Sequence, residues 1–250
     1  MNTRILATIA IGFSFTTTVQ AALVARGTDM VYDDVNNITW AADANLFQTQ
    51  AASNPNLVSQ IIAANGGVIH DTPNAYDTVP NSGVYSLTSA DFNTSSGAMT
   101  WWGAQAWANN LSLGGYTDWT LPTTADAANP NNVGYNITTS QLGDLFYNQL
   151  GGVAGTSITI THNANYNLFS NVQNPAYWSS SEYAPNPHYA WYFYTNSGYQ
   201  YNYDYGKILQ LYAWAVRPGD VAAVPLPGAI WLFLSGLIGF MGIKRRGHIG

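Results

Sequence analysis

Two hydrophobic periods divide this 250-residue chain into segments. In residues 29–40 two short apolar stretches flank Asp33-Asp34 and Asn36-Asn37, the pattern of a hairpin whose Asx side chains bond their own turn. From Asn45 to Ala98 the chain is rich in Asn, Ser, Thr, Pro and Gly, with one weak apolar run from Leu57 to Ala64. This predicts a short helix and a long irregular insertion over residues 48–98. Met99 to Leu113 is the strongest helical segment: Thr100 can cap it, and Trp102, Ala106 and Leu113 share a face that Trp101 and Trp107 widen. Gly114-Gly115 stops it. Tyr116 to Pro122 reads as a short strand ending at a proline turn. Thr138 or Thr139 caps a second helix, Ser140 to Leu150, with a stripe of Leu142, Leu145, Phe146 and Leu150 that ends at Gly151-Gly152.

From Tyr177 the period becomes two. Fourteen aromatic residues fall among the 38 from Tyr177 to Trp214, too dense for ordinary surface. Tyr199, Tyr201, Tyr203 and Tyr205 alternate with Gln200, Asn202 and Asp204, and Tyr189, Trp191 and Phe193 share one face of the preceding strand. Asn196-Ser197-Gly198 suits a three-residue hairpin with a left-handed Gly198. That register sets Phe193 opposite Tyr201 and Trp191 opposite Tyr203, making one aromatic core face. The other face, His188, Tyr192, Tyr194, Gln200, Asn202 and Asp204, is then exposed, polar-aromatic and acidic. It is the candidate platform for a neutral glycan, since aromatic rings stack on sugars while amides and carboxylates bond their hydroxyls. Leu209, Leu211, Ala213 and Ala215 alternate with polar and aromatic residues in a last strand before Arg217-Pro218. Helices followed by antiparallel strands predict an α+β fold.

Charge narrows the partners. All 13 acidic residues lie between Leu23 and Asp220, against three basic ones, Arg26, Lys207 and Arg217, so the body carries 3 − 13 = −10. Nucleic acid needs clustered Lys and Arg and is excluded as a partner. Cysteine is absent, which removes disulfides, thiolate nucleophiles and Cys-ligated metals. The body must therefore be stabilised by packing and hydrogen bonds.

The ends read as addresses. Residues 1–21 have Arg4, an apolar run from Ile5 to Phe15, and small residues up to Ala21, the pattern of a secretory signal peptide cleaved at Ala21. Residues 22–220 form the domain. Residues 221–227 are a linker carrying Val224-Pro225-Leu226-Pro227. An apolar helix follows, then Lys244-Arg245-Arg246, so residues 228–250 are expected to be a transmembrane helix with a basic tail on the cytoplasmic side. The order of proline motif, short apolar helix and basic cluster resembles the PEP-CTERM sorting signals, in the branch with Val-Pro-Leu-Pro. The resemblance implies an exosortase as partner. It further implies a transient inner-membrane anchor facing the periplasm, then delivery to the outer surface or exopolysaccharide matrix of a Gram-negative bacterium. Leu226 stands where that family usually has Glu.

A second resemblance covers roughly Leu23 to Gly219. Met99-Thr-Trp, Trp107, Asn110-Leu-Ser-Leu-Gly-Gly-Tyr-Thr-Asp-Trp-Thr-Leu-Pro-Thr123, Tyr177-Trp-Ser-Ser-Ser-Glu-Tyr183, Ala190-Trp-Tyr192 and Ala215-Val-Arg217 are together similar to the DUF1566 family, also named for the C-terminal domain of the Legionella collagen-like protein. It implies a C-type-lectin-like fold, two helices on antiparallel sheets, and adhesion or polymer binding at a cell surface. The Legionella member binds sulfated polysaccharides, which require a basic surface, so that ligand class does not transfer to a body at −10.

Chemistry beyond binding has thin support. Glu182 is the single Glu, and Asp118 or Asp204 could pair with it as a glycosidase couple. The family motif instead implies that Glu182 bonds Arg217 or a backbone amide. Ser179 to Ser181 lack a nucleophile elbow, and His70, His162, His188 and His248 show no ligand spacing. The expectation is a non-enzymatic, exported matrix or surface protein that binds exopolysaccharide without a cofactor or metal. A structural protein with protein contacts only is the alternative, and a glycan hydrolase the third reading.

Overall fold

The computed structural model describes residues 23–203 and 206–221. In chain order its elements are β1 (Leu23–Arg26), β2 (Met30–Asp33), β3 (Ile38–Ala41), α1 (Leu46–Ser53), α2 (Leu57–Ala64), β4 (Val68–His70), β5 (Val84–Ser86), α3 (Trp101–Asn109), α4 (Gln141–Asp144), β6 (Ala176–Glu182), β7 (Ala190–Tyr194), β8 (Tyr199–Tyr201) and β9 (Val216–Pro218). Its described sheets are antiparallel, ordered β1-β2-β3-β9, β4-β5 and β6-β7-β8, so the fold is α+β. The first hairpin forms as its turn residues dictate. Asp33 accepts from the amides of Val35 and Asn36, both at 3.1 Å, and Asn37 takes φ 49°. Ala21, Asp204, the motif Val224 to Pro227, the apolar segment after it and Lys244 to Arg246 lie outside the described residues. Among the described residues no helix is long and apolar enough to cross a membrane.

The insertion is more regular than expected. The Leu57–Ala64 run is α2 as read, but α1 precedes it and β4 pairs with β5 beyond it. Phe47, Ile61, Leu87 and Phe92 anchor this segment in the core. Its turns are organised by short polar side chains: Asp77 accepts from the amides of Gly83 at 2.6 Å and Asn74 at 3.0 Å. Such local bonding leaves no hydrophobic period, which is why periodicity misses it.

α3 starts at its predicted cap, with Thr100 Oγ1 accepting from Gly103 N. The second helix is capped by Ser140, not by Thr138 or Thr139, and after α4 it widens into a π-helical turn over Leu145–Gln149. Tyr116–Pro122 forms no strand; it touches a sheet only where Thr120 bridges Val216.

The largest departure concerns the aromatic strands. The hairpin pairs Tyr194 with Tyr199 and Tyr192 with Tyr201, one residue away from the expected register, because its loop is Thr195–Gly198. Both faces of β6, β7 and the segment 211–216 are covered. Trp178, Tyr192, Leu211, Ala213 and Ala215 pack in one core with Phe47 and the α3 tryptophans. Tyr177, Phe193, Tyr212, Trp214 and Val216 pack on the other side with Trp40, Leu145 and Phe146. The expected last strand thus shrinks to Val216–Pro218, with residues 211–215 extended beside it. Together with β6 and β7 they form a septum between two cores that has no solvent face to offer.

Candidate functional site

The aromatic platform is therefore displaced from where the alternation put it. Tyr192 is 1% exposed, with Trp178 edge-on at 5.8 Å. Gln200 is buried because the loop at Gly134 pairs with it in both backbone directions, and its side chain donates to Asn132 O at 2.8 Å. Asn202 is buried as well. His188 is half-buried, its Nε2 accepting from Ala75 N at 2.9 Å and its ring edge-on to Tyr76 at 5.5 Å. Tyr194, like His188, is half-exposed, and its ring lies edge-on to Tyr192 at 5.4 Å.

The one-residue change of register puts a different set of rings on one face, with Tyr192 buried and Tyr194, Tyr199 and Tyr201 half-buried. Tyr192, Tyr194, Tyr199 and Tyr201 share one face, and their rings are linked: Tyr192 to Tyr194 at 5.4 Å, Tyr192 to Tyr201 at 6.0 Å and Tyr199 to Tyr201 at 5.7 Å. Tyr135 continues the series, edge-on to Tyr199 at 4.8 Å and 47% exposed. Tyr203, 55% exposed, stacks on Tyr189 at 4.8 Å and 26°. The array thus runs from a buried floor at Tyr192 to the exposed ring of Tyr135, with the Tyr189–Tyr203 stack as a separate pair. Tyr135 carried no period-two signal and could not be found by alternation.

Sequence reading also missed a charged cluster. Lys207 has a fully buried side chain whose Nζ lies 2.7 Å from Asp71 Oδ2 and 2.5 Å from Glu182 Oε1. Glu182 also accepts from Thr72 Oγ1 and N. Of the two partners expected for Glu182, the backbone amide is present at Thr72 N, whereas Arg217 grips both oxygens of Asp118, at 2.7 and 2.9 Å. That hydrogen bond holds the Asp118 carboxyl below its usual range, and Arg26 does the same to Asp220. The one signal available was that Lys207 is the single lysine between Leu23 and Val221. Among the described residues no group of three or more His, Asp or Glu is placed to hold a metal ion.

Fold and site together define an α+β domain with a double-sided aromatic core and a tyrosine face at a sheet edge. The chain belongs to the Lcl C-terminal domain family, whose profile matches residues 29–217. Comparison with curated proteins and with solved structures finds no match.

Proposed function

We propose that this is an exported surface or extracellular-matrix protein that binds neutral polysaccharide through the tyrosine array and acts by binding, not catalysis. The observation that carries the reading is the linked face of Tyr194, Tyr199, Tyr201 and Tyr135, with the Tyr189–Tyr203 stack as a second set of rings. Flat rings stack on sugar faces, and the surrounding Asn-rich loops offer hydroxyl partners. The net charge of the body favours neutral over sulfated polymers. The architecture is of the C-type-lectin-like kind that the family resemblance implies. Delivery rests on the terminal segments: a signal peptide cut at Ala21, a transient inner-membrane helix after Pro227, and an exosortase reading Val224 to Pro227 with Lys244 to Arg246.

Affinity electrophoresis of the protein through neutral and sulfated exopolysaccharide gels tests the binding. Retardation is expected in the neutral gel. Tyr135→Ala and Tyr203→Ala, at exposed rings that the fold does not need, are each expected to weaken it about three- to tenfold, the worth of roughly 1 kcal/mol of ring contact. Migration unchanged in every gel would shift the reading to a structural protein with protein contacts only.

A further inference from the structure

Asp71, Glu182 and Lys207 are brought together from the insertion, the end of β6 and the loop before residue 211. Lys207 Nζ lies 4.4 Å from the centroid of the Trp101 ring and 5.6 Å from that of Trp102, which wall it from water. The two oxygens of Asp71 are treated differently. Oδ2 accepts from Trp102 Nε1 at 2.8 Å and Asn74 Nδ2 at 3.2 Å as well as from Lys207. Oδ1 is buried and has no hydrogen-bond partner among the described residues. An ion pair kept only for stability leaves that oxygen unexplained, because buried polar atoms are paired in the great majority of cases.

The geometry points to an intramolecular isopeptide bond between Lys207 Nζ and Asp71 Cγ, formed with Glu182 as the proton relay. Glu182 Oε1, in contact with Nζ, takes a proton from the ammonium and frees the nitrogen lone pair. Nζ attacks Cγ. The developing negative charge on Oδ2 is met by the Trp102 and Asn74 N–H groups, donors already aimed at it. Two of the three ammonium protons end on Oδ1, carried by Glu182. The Cγ–Oδ1 bond breaks and Oδ1 departs as water. The third proton remains as the amide N–H, and Glu182 ends as the carboxylate it began as. The Nζ–Cγ bond replaces the Cγ–Oδ1 bond with no net oxidation or reduction. The unpartnered oxygen leaves, the hydrogen-bonded one becomes the amide carbonyl, and two buried charges are removed together.

The full chain is tested by tryptic digestion after denaturation, read by mass spectrometry. The expected result is no cleavage between Lys207 and Ile208. After a second protease, a branched peptide should join the regions of Asp71 and Lys207, lighter by one water than the sum of its parts. Normal cleavage after Lys207, with both peptides at their unlinked masses, overturns the proposal and leaves a salt bridge only. Glu182→Gln keeps a hydrogen-bonding side chain of similar shape and is expected to abolish the link, with near-ultraviolet circular dichroism reporting that the fold persists. A link formed to the wild-type extent in that variant would overturn the relay. Asp71→Asn is expected to yield a product of wild-type mass by losing ammonia in place of water, and a link through any other residue would overturn the assignment to Cγ of residue 71.

Discussion

Arg217 illustrates how much rests on single side chains in a body with so few charges. Its guanidinium is bidentate on Asp118 and lies 4.0 Å from the centroid of Tyr116. Because hydrogen bonding from Arg217 holds the folded-state pKa of Asp118 below its unfolded value of about 4, the pair stabilises the fold above that pH. Its contribution is lost as the pH falls through the lower folded value. Asp118 is half-exposed, so the effect is modest, within about 1 kcal/mol. Asp118→Asn should therefore lower the urea midpoint at neutrality by that modest amount and flatten the acid limb, its difference from the wild type vanishing below the folded pKa of Asp118. Tyr192 belongs to the opposite class. Buried in the septum, Tyr192→Ala should cost roughly 3–5 kcal/mol in denaturant unfolding. A smaller loss would mean that the ring is less confined than its 1% exposure indicates.

At the scale of elements, α3 shows what a sequence can display. Thr100 and the tryptophan spacing mark its start and its faces, and the structure places the cap as read. Thr100 Oγ1 also donates to Asp91 Oδ1 at 2.8 Å, tying the helix to the insertion. Thr100→Ala should thus cost about 1–2 kcal/mol, the upper part of the range for caps. Gly103→Ala ought to add helix propensity, yet a Cβ there would meet Asp91 O at 2.6 Å. A net loss of thermal stability is expected from it, and a gain would show that the Asp91 segment yields easily. The second helix was legible in extent but not in detail, since three hydroxyl residues in a row compete for one cap and the π-helical turn has no period of its own. The hairpin register failed for a related reason. Period two reports that faces alternate, not which face is covered, and a four-residue loop in place of three exchanges the partners of every tyrosine. Ring-bearing strands were visible in the sequence, whereas Tyr135 and the Lys207 cluster depend on loops that no pattern aligns.

At the scale of the whole molecule, the described residues form two cores sharing one septum, so neither should survive loss of the other. A single calorimetric transition is expected, and two resolved transitions would contradict the shared wall. Burial raises the pKa of Tyr177 well above its ordinary value and also raises those of Tyr85, Tyr147 and Tyr166. The unfolded chain ionises these phenols near pH 10 and the folded one resists, so stability is full below about that pH and falls as it is exceeded. Spectrophotometric titration should show a group of tyrosines ionising only as the protein unfolds. The amide between residues 71 and 207 closes a 136-residue span, worth roughly 5 kcal/mol in the chain-entropy account. Glu182→Gln is accordingly expected to melt some 10–20 °C lower. Finally, the register of the first sheet sets Leu23, Asp33, Ile38 and Pro218 abreast at one end, and Arg26 reaches Asp220 at 2.7 Å. The polypeptide arrives and departs on the same side, a few strand widths apart. A domain shaped this way hangs from its surroundings like a bead from one point of a string, and its neighbours along the chain can be exchanged for others without moving a strand.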